Sequence, residues 1–142
     1  MNKFSSAKTI SARAATACLP DILNTLPTEE RYDLKMSKPL LSRVRRAGRV
    51  LYLSGIIGRG DTKESKFRDT FERIKGVLEE NGLSLEDVVK ATVYLEDIND
   101  RPKYLNPLWR EYFPDNPPTR TCVEAGLNGG QIEITAVAAI PD

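Results

Sequence analysis

The sequence predicts an α+β domain in which two helices pack on one face of a mixed β-sheet. Three observations predict it. Apolar residues recur at helical spacing in two segments, Glu64 to Asn81 and about Asn99 to Tyr112. Short apolar or alternating runs flank and separate those segments, which gives the order β-β-α-β-α-β-β. Helices separated by single strands or hairpins put both helices on one face of the sheet, and a chain this short has little left to cover the other face. That second face is expected to be buried by oligomerisation.

With 142 residues, one domain with a substantial core is expected. Residues 1–38 read as an N-terminal extension and residues 39–142 as the core domain. The first twenty residues hold Lys3, Lys8 and Arg13, no acid, and much Ser, Ala and Thr. A transit peptide has such a composition; an extension that packs loosely on the domain or caps it is the preferred reading. The cytoplasm is the expected compartment, with organellar targeting by this segment left open.

In the core domain Leu41 to Ala47 is the first strand and Gly48-Arg49 a tight turn. Val50 to Ile57, strongly apolar and β-branched, completes a hairpin. Phe67, Phe71, Ile74, Val77 and Leu78 line one face of the first helix, and Asn81-Gly82 stops it because glycine tolerates a left-handed cap. Ser84 and Asp87 signal a short helical turn before the third strand, Val88 to Leu95. Asn99 or Asp100 is expected to cap the second helix, with Pro102 in its first turn and Leu105, Leu108, Trp109 and Tyr112 on its buried side. Pro107 must restart or kink that helix, since it lacks a donor and clashes with the preceding turn. Asn116-Pro117-Pro118 forces an extended lead into the last two strands, Thr119 to Gly126 and Gln131 to Ile140, joined by a Gly-rich turn.

Composition excludes several classes of function. Lys and Arg total 21 against 20 Asp and Glu, so no global charge attracts nucleic acid or membrane. No run of ~18 apolar residues is present to span a bilayer. Cys18 and Cys122 do not make a disulfide framework, and two cysteines cannot supply an all-thiolate zinc site. With no histidine, Ser-His-Asp and Cys-His catalysis and His-ligated zinc are excluded. A general acid or base must then be Glu, Asp, Lys, Tyr or water.

The last two strands carry the candidate chemistry. Each interrupts an apolar pattern with a charge, Arg120 in one and Glu133 in the other, and an unpaired buried charge is costly. Alternation puts Arg120, Cys122 and Glu124 on one face of their strand, and Glu133, Thr135 and Val137 on one face of theirs. The planar fork of Arg120 suits a carboxylate. Glu133, between two isoleucines, is expected to be partly desolvated and suited to proton transfer. A hairpin turning at Asn128-Gly129 sets Glu133 opposite about Glu124. Arg120 is then four residues further on, roughly 13 Å away at ~3.3 Å per residue. A direct pair within one chain is therefore not expected, and a shared site is expected across a subunit interface. Interface ion pairs with no catalytic role account for the same spacing. Cys122 reads as a small buried apolar residue whose backbone N–H can still serve a ligand. Ser54-Gly55 marks either a bulge or packing contact, or a close approach to a ligand. Arg43, Arg45, Arg46 and Arg49 form a basic cluster, read as a solvated hairpin edge in preference to an RNA surface.

From Pro39 to Ile140 the chain resembles the RidA (YjgF) family of enamine/imine deaminases. The residues that carry the resemblance are Ser54-Gly55, the run V-K-A-T-V-Y-L-E-D-I-N-D ending at Asp100, Asn106, and P-T-R-T-C-V-E-A-G followed by I-E-I. The resemblance implies a chorismate-mutase-like α+β sandwich, a homotrimer with sites at the subunit clefts, and no cofactor or metal. It implies hydrolysis of 2-imino or enamine acids to 2-keto acids and ammonia. By carry-over, Arg120 and the Cys122 N–H bind the substrate carboxylate, Glu133 positions or activates water, and Asn106, Ser54 and Gly55 shape the pocket. A non-catalytic carboxylate-binding regulatory trimer and an RNA-cleaving or RNA-binding protein are the alternatives. The chain departs from the family pattern at Lys38-Pro39-Leu40-Leu41, which lacks a tyrosine, and at Ile56, where many members have glutamine. Ile56 is expected to make the pocket wall more apolar.

Overall fold

A computed structural model describes Pro27 and residues 39–142. The readings of the extension 1–38, as a transit peptide or as a segment that packs loosely on the domain or caps it, fall on residues outside those described. Five strands and two helices follow in the expected order: β1 (Val44–Ala47), β2 (Val50–Ile57), α1 (Lys63–Glu80), β3 (Val88–Leu95), α2 (Asn106–Tyr112), β4 (Thr119–Glu124) and β5 (Ile132–Ala139). None of the described helices is long and apolar enough to cross a membrane.

Local signals account for most boundaries. Ala47 pairs with Val50 across a two-residue turn, with Gly48 at a φ of 58° that an L side chain adopts only with strain. Thr62 caps α1, accepting from the Ser65 N–H while the Ser65 hydroxyl accepts from the Thr62 N–H. The helix closes in a Schellman arrangement: Leu83 N–H donates to the Leu78 carbonyl, Gly82 N–H donates to the Glu79 carbonyl, and Gly82 has a φ of 73°. Asp87 accepts from the Ser84 N–H at 2.8 Å and stabilises the short turn before β3.

Two expectations shift here. The first strand is shorter than Leu41 to Ala47, because β2 bulges at Ser54-Gly55 and offers β1 no regular partner beyond that point. Neither Asn99 nor Asp100 caps the second helix through its side chain. Asp97 accepts from the Asn99 N–H instead, and the buried Asp100 carboxylate meets the Lys63 ammonium at 2.8 Å. Pro107 has the foreseen consequence. Residues Arg101–Leu105 form a wide π-turn, in which the Asn106 N–H reaches back to the Arg101 carbonyl, and the regular helix starts at Asn106.

The sheet order is β1-β2-β5-β3-β4. This overturns the expected hairpin between β4 and β5. β4 pairs with β3 alone, in parallel, after the α2 crossover. β5 inserts antiparallel between β2 and β3. Leu51, Leu53 and Ile56 from β2, Ala91, Val93 and Leu95 from β3, and Ile132, Ile134, Ala136 and Ala138 from β5 pack on Phe67, Phe71, Ile74, Leu78, Leu108 and Trp109. Both helices therefore cover one face. Phe71 sits at the junction, stacked on Tyr112 at 4.9 Å and edge-on to Trp109 at 6.1 Å. Arg68 clamps the two helices by a bidentate pair with Glu111 at 2.7 and 3.1 Å. The outer face keeps Tyr52 (48% exposed), Ile57 (38%) and Val123 (40%) open.

Candidate active site

The register of the sheet places the candidate residues that lie on strands. Arg120 aligns with Ala91 and, through it, Ala136, all on the helix face. Glu133 aligns with Tyr94 on β3 and Ile57 on β2, on the outer face. Ile132 and Ile134, the neighbours expected to desolvate Glu133, point the other way into the core. Arg120 and Glu133 are two strands apart laterally and three residues apart along the strands, about 14 Å in all. They also lie on opposite faces. One chain cannot bring them to one small molecule.

Arg120 belongs to a group at the β4 edge. Its guanidinium lies 4.9 Å from the centre of the Trp109 ring, and the ring is nearly buried. Stacking holds the planar fork while leaving its N–H edge free. Among the described residues Arg120 has no carboxylate partner. Ala125 N–H donates to the Leu95 carbonyl, so the odd-numbered residues of β4 turn toward β3. By alternation the Cys122 N–H turns to the free edge, on the same strand as Arg120 and two residues away. Burial pushes the Cys122 thiol above its ordinary value of 9.0, while the Arg120 and Arg101 guanidiniums pull it down by less. A raised thiol is the opposite of what a nucleophile needs. Asn106 opens α2 one turn before Trp109, with its Oδ1 buried and without a donor among the described residues. Such an acceptor is one that a ligand, a water or a neighbouring copy satisfies. The Arg120 guanidinium and a free backbone donor suit a carboxylate.

Glu133 belongs to a second group. β2 spends two residues, Ser54 and Gly55, opposite the single Thr135 of β5. The bulge brings the Gly55 backbone against the Glu133 side chain: a Cβ on residue 55 would fall 1.9 Å from Glu133 Oε1 and 2.8 Å from Cδ. Only glycine leaves room for the carboxylate there. The Ser54 N–H is engaged, donating to the Arg43 carbonyl at 3.0 Å. Ile56 does not line this group. It is 8% exposed and packs in the core, so the expected apolar wall at that residue is absent; Ile57 stands beside Glu133 instead. The bulge, one of the readings of Ser54-Gly55, inverts the faces beyond it.

The structure thus unites Gly55 and Ser54 with Glu133, and Arg120 with Cys122, but separates the two groups. Trp109 under Arg120, and Tyr94 and Ile57 beside Glu133, were not foreseen. Tyr94 was legible as an outward residue of the K-A-T-V-Y-L run, but its neighbour on β5 was not. Of the basic cluster, Arg43 pairs with Glu80, Arg46 bonds the Gly48 carbonyl, and Arg49 bonds the Ile140 carbonyl and Asp142.

Known proteins are similar to this chain in sequence and in fold. The family described as Endoribonuclease L-PSP matches residues 35–140. A RutC family protein of Pyrococcus horikoshii is 39% identical over 108 residues, covering 68% of this chain and 84% of the relative. The 3-aminoacrylate deaminase RutC of Acinetobacter baylyi is 33% identical over 105 residues, covering 67% and 82%. A RutC family protein of Pyrococcus abyssi is 51% identical over 71 residues, a match that spans half of this chain and 54% of that protein. A crystal structure of a YjgF family member from Neisseria meningitidis superposes with a TM-score of 0.69 at 29% identity, covering 75% of this chain and 92% of that one. On these matches the chain belongs to the Endoribonuclease L-PSP family, the family of RidA (YjgF) proteins.

Proposed function

We propose that this protein hydrolyses reactive 2-imino and enamine carboxylic acids to 2-keto acids and ammonia. One observation carries the reading. A carboxylate-binding group at the β4 edge and a carboxylate base on the outer face are each well formed, and neither is complete alone. A site arises where the β4 edge of one copy meets the open outer face of another. A closed ring of three copies, a homotrimer, is the assembly we propose. The A. baylyi relative, named for a deaminase acting on 3-aminoacrylate, supports the same chemistry.

The reaction asks little of the protein. An iminium carbon is already electrophilic, so water can add once it is oriented and deprotonated. Glu133 accepts a proton from water as the oxygen bonds to carbon and the C=N electron pair moves to nitrogen. The Glu133 proton then passes to that nitrogen, and as the C–N bond breaks the hydroxyl returns its proton to the Glu133 carboxylate, so that ammonia leaves and the carbonyl forms. Arg120 and the Cys122 N–H of the neighbouring copy hold the substrate carboxylate throughout.

The test is a coupled assay. A threonine or serine dehydratase generates the imine, and semicarbazide traps what is not hydrolysed. Wild type should suppress trapping and Arg120→Ala should not. Native mass should be three times the 15.9 kDa chain. A monomer in solution, or wild type without effect on trapping, would remove the reading. The family description favours an RNA-directed alternative, but three of the four arginines of the basic cluster are already engaged within the chain. RNA binding that weakens steeply with salt would favour that alternative.

A further inference from the structure

Glu133 is flanked on the outer face by two side chains with no part in the chemistry above. Ile57 is its register partner on β2 and Tyr94 its register partner on β3. Residues directly opposite in antiparallel strands have Cβ atoms about 5 Å apart, so both stand within van der Waals reach of the carboxylate stem. Ile57 is 38% exposed, and its Cγ2 is backed by the loop before β5, only 3.1 Å from where a Cβ on Gly130 would lie. Its free surface lies on the outer face beside Glu133. Gly55, against Glu133, presents no side chain at all. The surface around the base thus has Ile57 on its β2 side, the Tyr94 ring on its β3 side and open backbone at the bulge.

We infer that Ile57, with the Tyr94 ring opposite, forms the wall that receives the substrate side chain and selects 2-imino acids with aliphatic side chains over the smallest ones. The inference rests on the deaminase reading. With the carboxylate held by Arg120 of one copy and the reacting carbon over Glu133 of another, the remaining substituent lies among the side chains flanking Glu133. An aliphatic substituent there replaces water on Ile57 and Tyr94, whereas a methyl group covers little of either. A pocket discriminates a few methylenes by roughly tenfold or more.

The experiment compares the imines of leucine and alanine, made in situ by an L-amino-acid oxidase. The ratio of their kcat/KM values is read for wild type, Ile57→Thr and Ile57→Val. Native mass is measured for each, since Ile57 sits on the face proposed to be covered by another copy. Wild type should favour the leucine imine. Ile57→Thr should lower the ratio about tenfold, with the larger loss of kcat/KM on the leucine imine, and Ile57→Val should lie between. An unchanged ratio in correctly assembled variants overturns the inference and leaves the deaminase reading standing. Should wild type hydrolyse neither imine, the deaminase reading falls, and calorimetry with 4-methyl-2-oxopentanoate and pyruvate decides on the wall. Equal affinities there overturn it, and a preference for the branched acid that Ile57→Thr abolishes sustains it.

Discussion

Gly55→Ala separates the fold from the chemistry with one methyl group. The new Cβ would stand 1.9 Å from Glu133 Oε1, 2.8 Å from Cδ and 3.2 Å from Cγ. Ordinary contact needs well over 3 Å, so the carboxylate must move by more than 1 Å. It is the far end of a flexible side chain on a half-exposed face, so the move costs about 0.5–1.5 kcal/mol of rotamer strain. Gly55 has no left-handed φ, and alanine narrows the unfolded ensemble by about 0.4–1 kcal/mol in return. Net stability should change by less than about 1 kcal/mol. Activity should change far more. A base misplaced by about 1 Å costs about 10²-fold, or about 2.7 kcal/mol of barrier. The loss should fall on kcat, because the Arg120 group lies on another face and is untouched. Thermal unfolding and the trapping assay measure the two effects separately. A fully active Gly55→Ala protein would show that Glu133 does not act from its place beside the bulge. A variant that unfolds would show that this contact is structural packing.

Other perturbations test other parts of the argument. Arg120→Lys keeps the charge but loses the planar fork stacked on Trp109; KM should rise about tenfold or more, with kcat less affected, in steady-state kinetics. Gly76 and Gly82 each have open space around an added Cβ, but only Gly82 has a positive φ. Gly76→Ala within α1 should therefore stabilise by about 0.5–1 kcal/mol and Gly82→Ala destabilise by about 1–2 kcal/mol, read by denaturant titration. Burial raises the pKa of both Cys122 and Tyr112, the latter also through its bond to Glu72. In the unfolded chain these groups lose their protons first. Their contribution to stability is therefore intact below pH 9 and falls as pH rises above the ordinary values of 9.0 and 10.0. Denaturation midpoints from pH 8 to 11 should show the decline, and Cys122→Ala should remove part of it.

Local chemistry was legible because it is local. The Gly82 stop and the Ser84–Asp87 turn act within a few residues. The break at Pro107 is a property of that residue. Alternation along β4 and β5 correctly assigned the two faces of each strand. The cap at Asn99 or Asp100 was misread because a burial decision intervened: Lys63, 37 residues earlier, draws the Asp100 carboxylate into an ion pair. Ile56 was misread because one extra residue in the β2 bulge resets which side chains face out.

By itself the sequence determined the element order, the helix faces, the residue types able to bind a carboxylate and move a proton, and the family. Tertiary structure alone decided the neighbours. Two strands separated by a Gly-rich turn look like a hairpin, yet β4 returns from α2 to lie parallel to β3 at the edge, and β5 takes the central position between β2 and β3. Strand order is a contest among distant partners for backbone hydrogen bonds and a common core, and periodicity within one segment carries no record of it. That contest set Glu133 against Gly55, Ile57 and Tyr94, set Arg120 over Trp109, and left the two on opposite faces of one sheet.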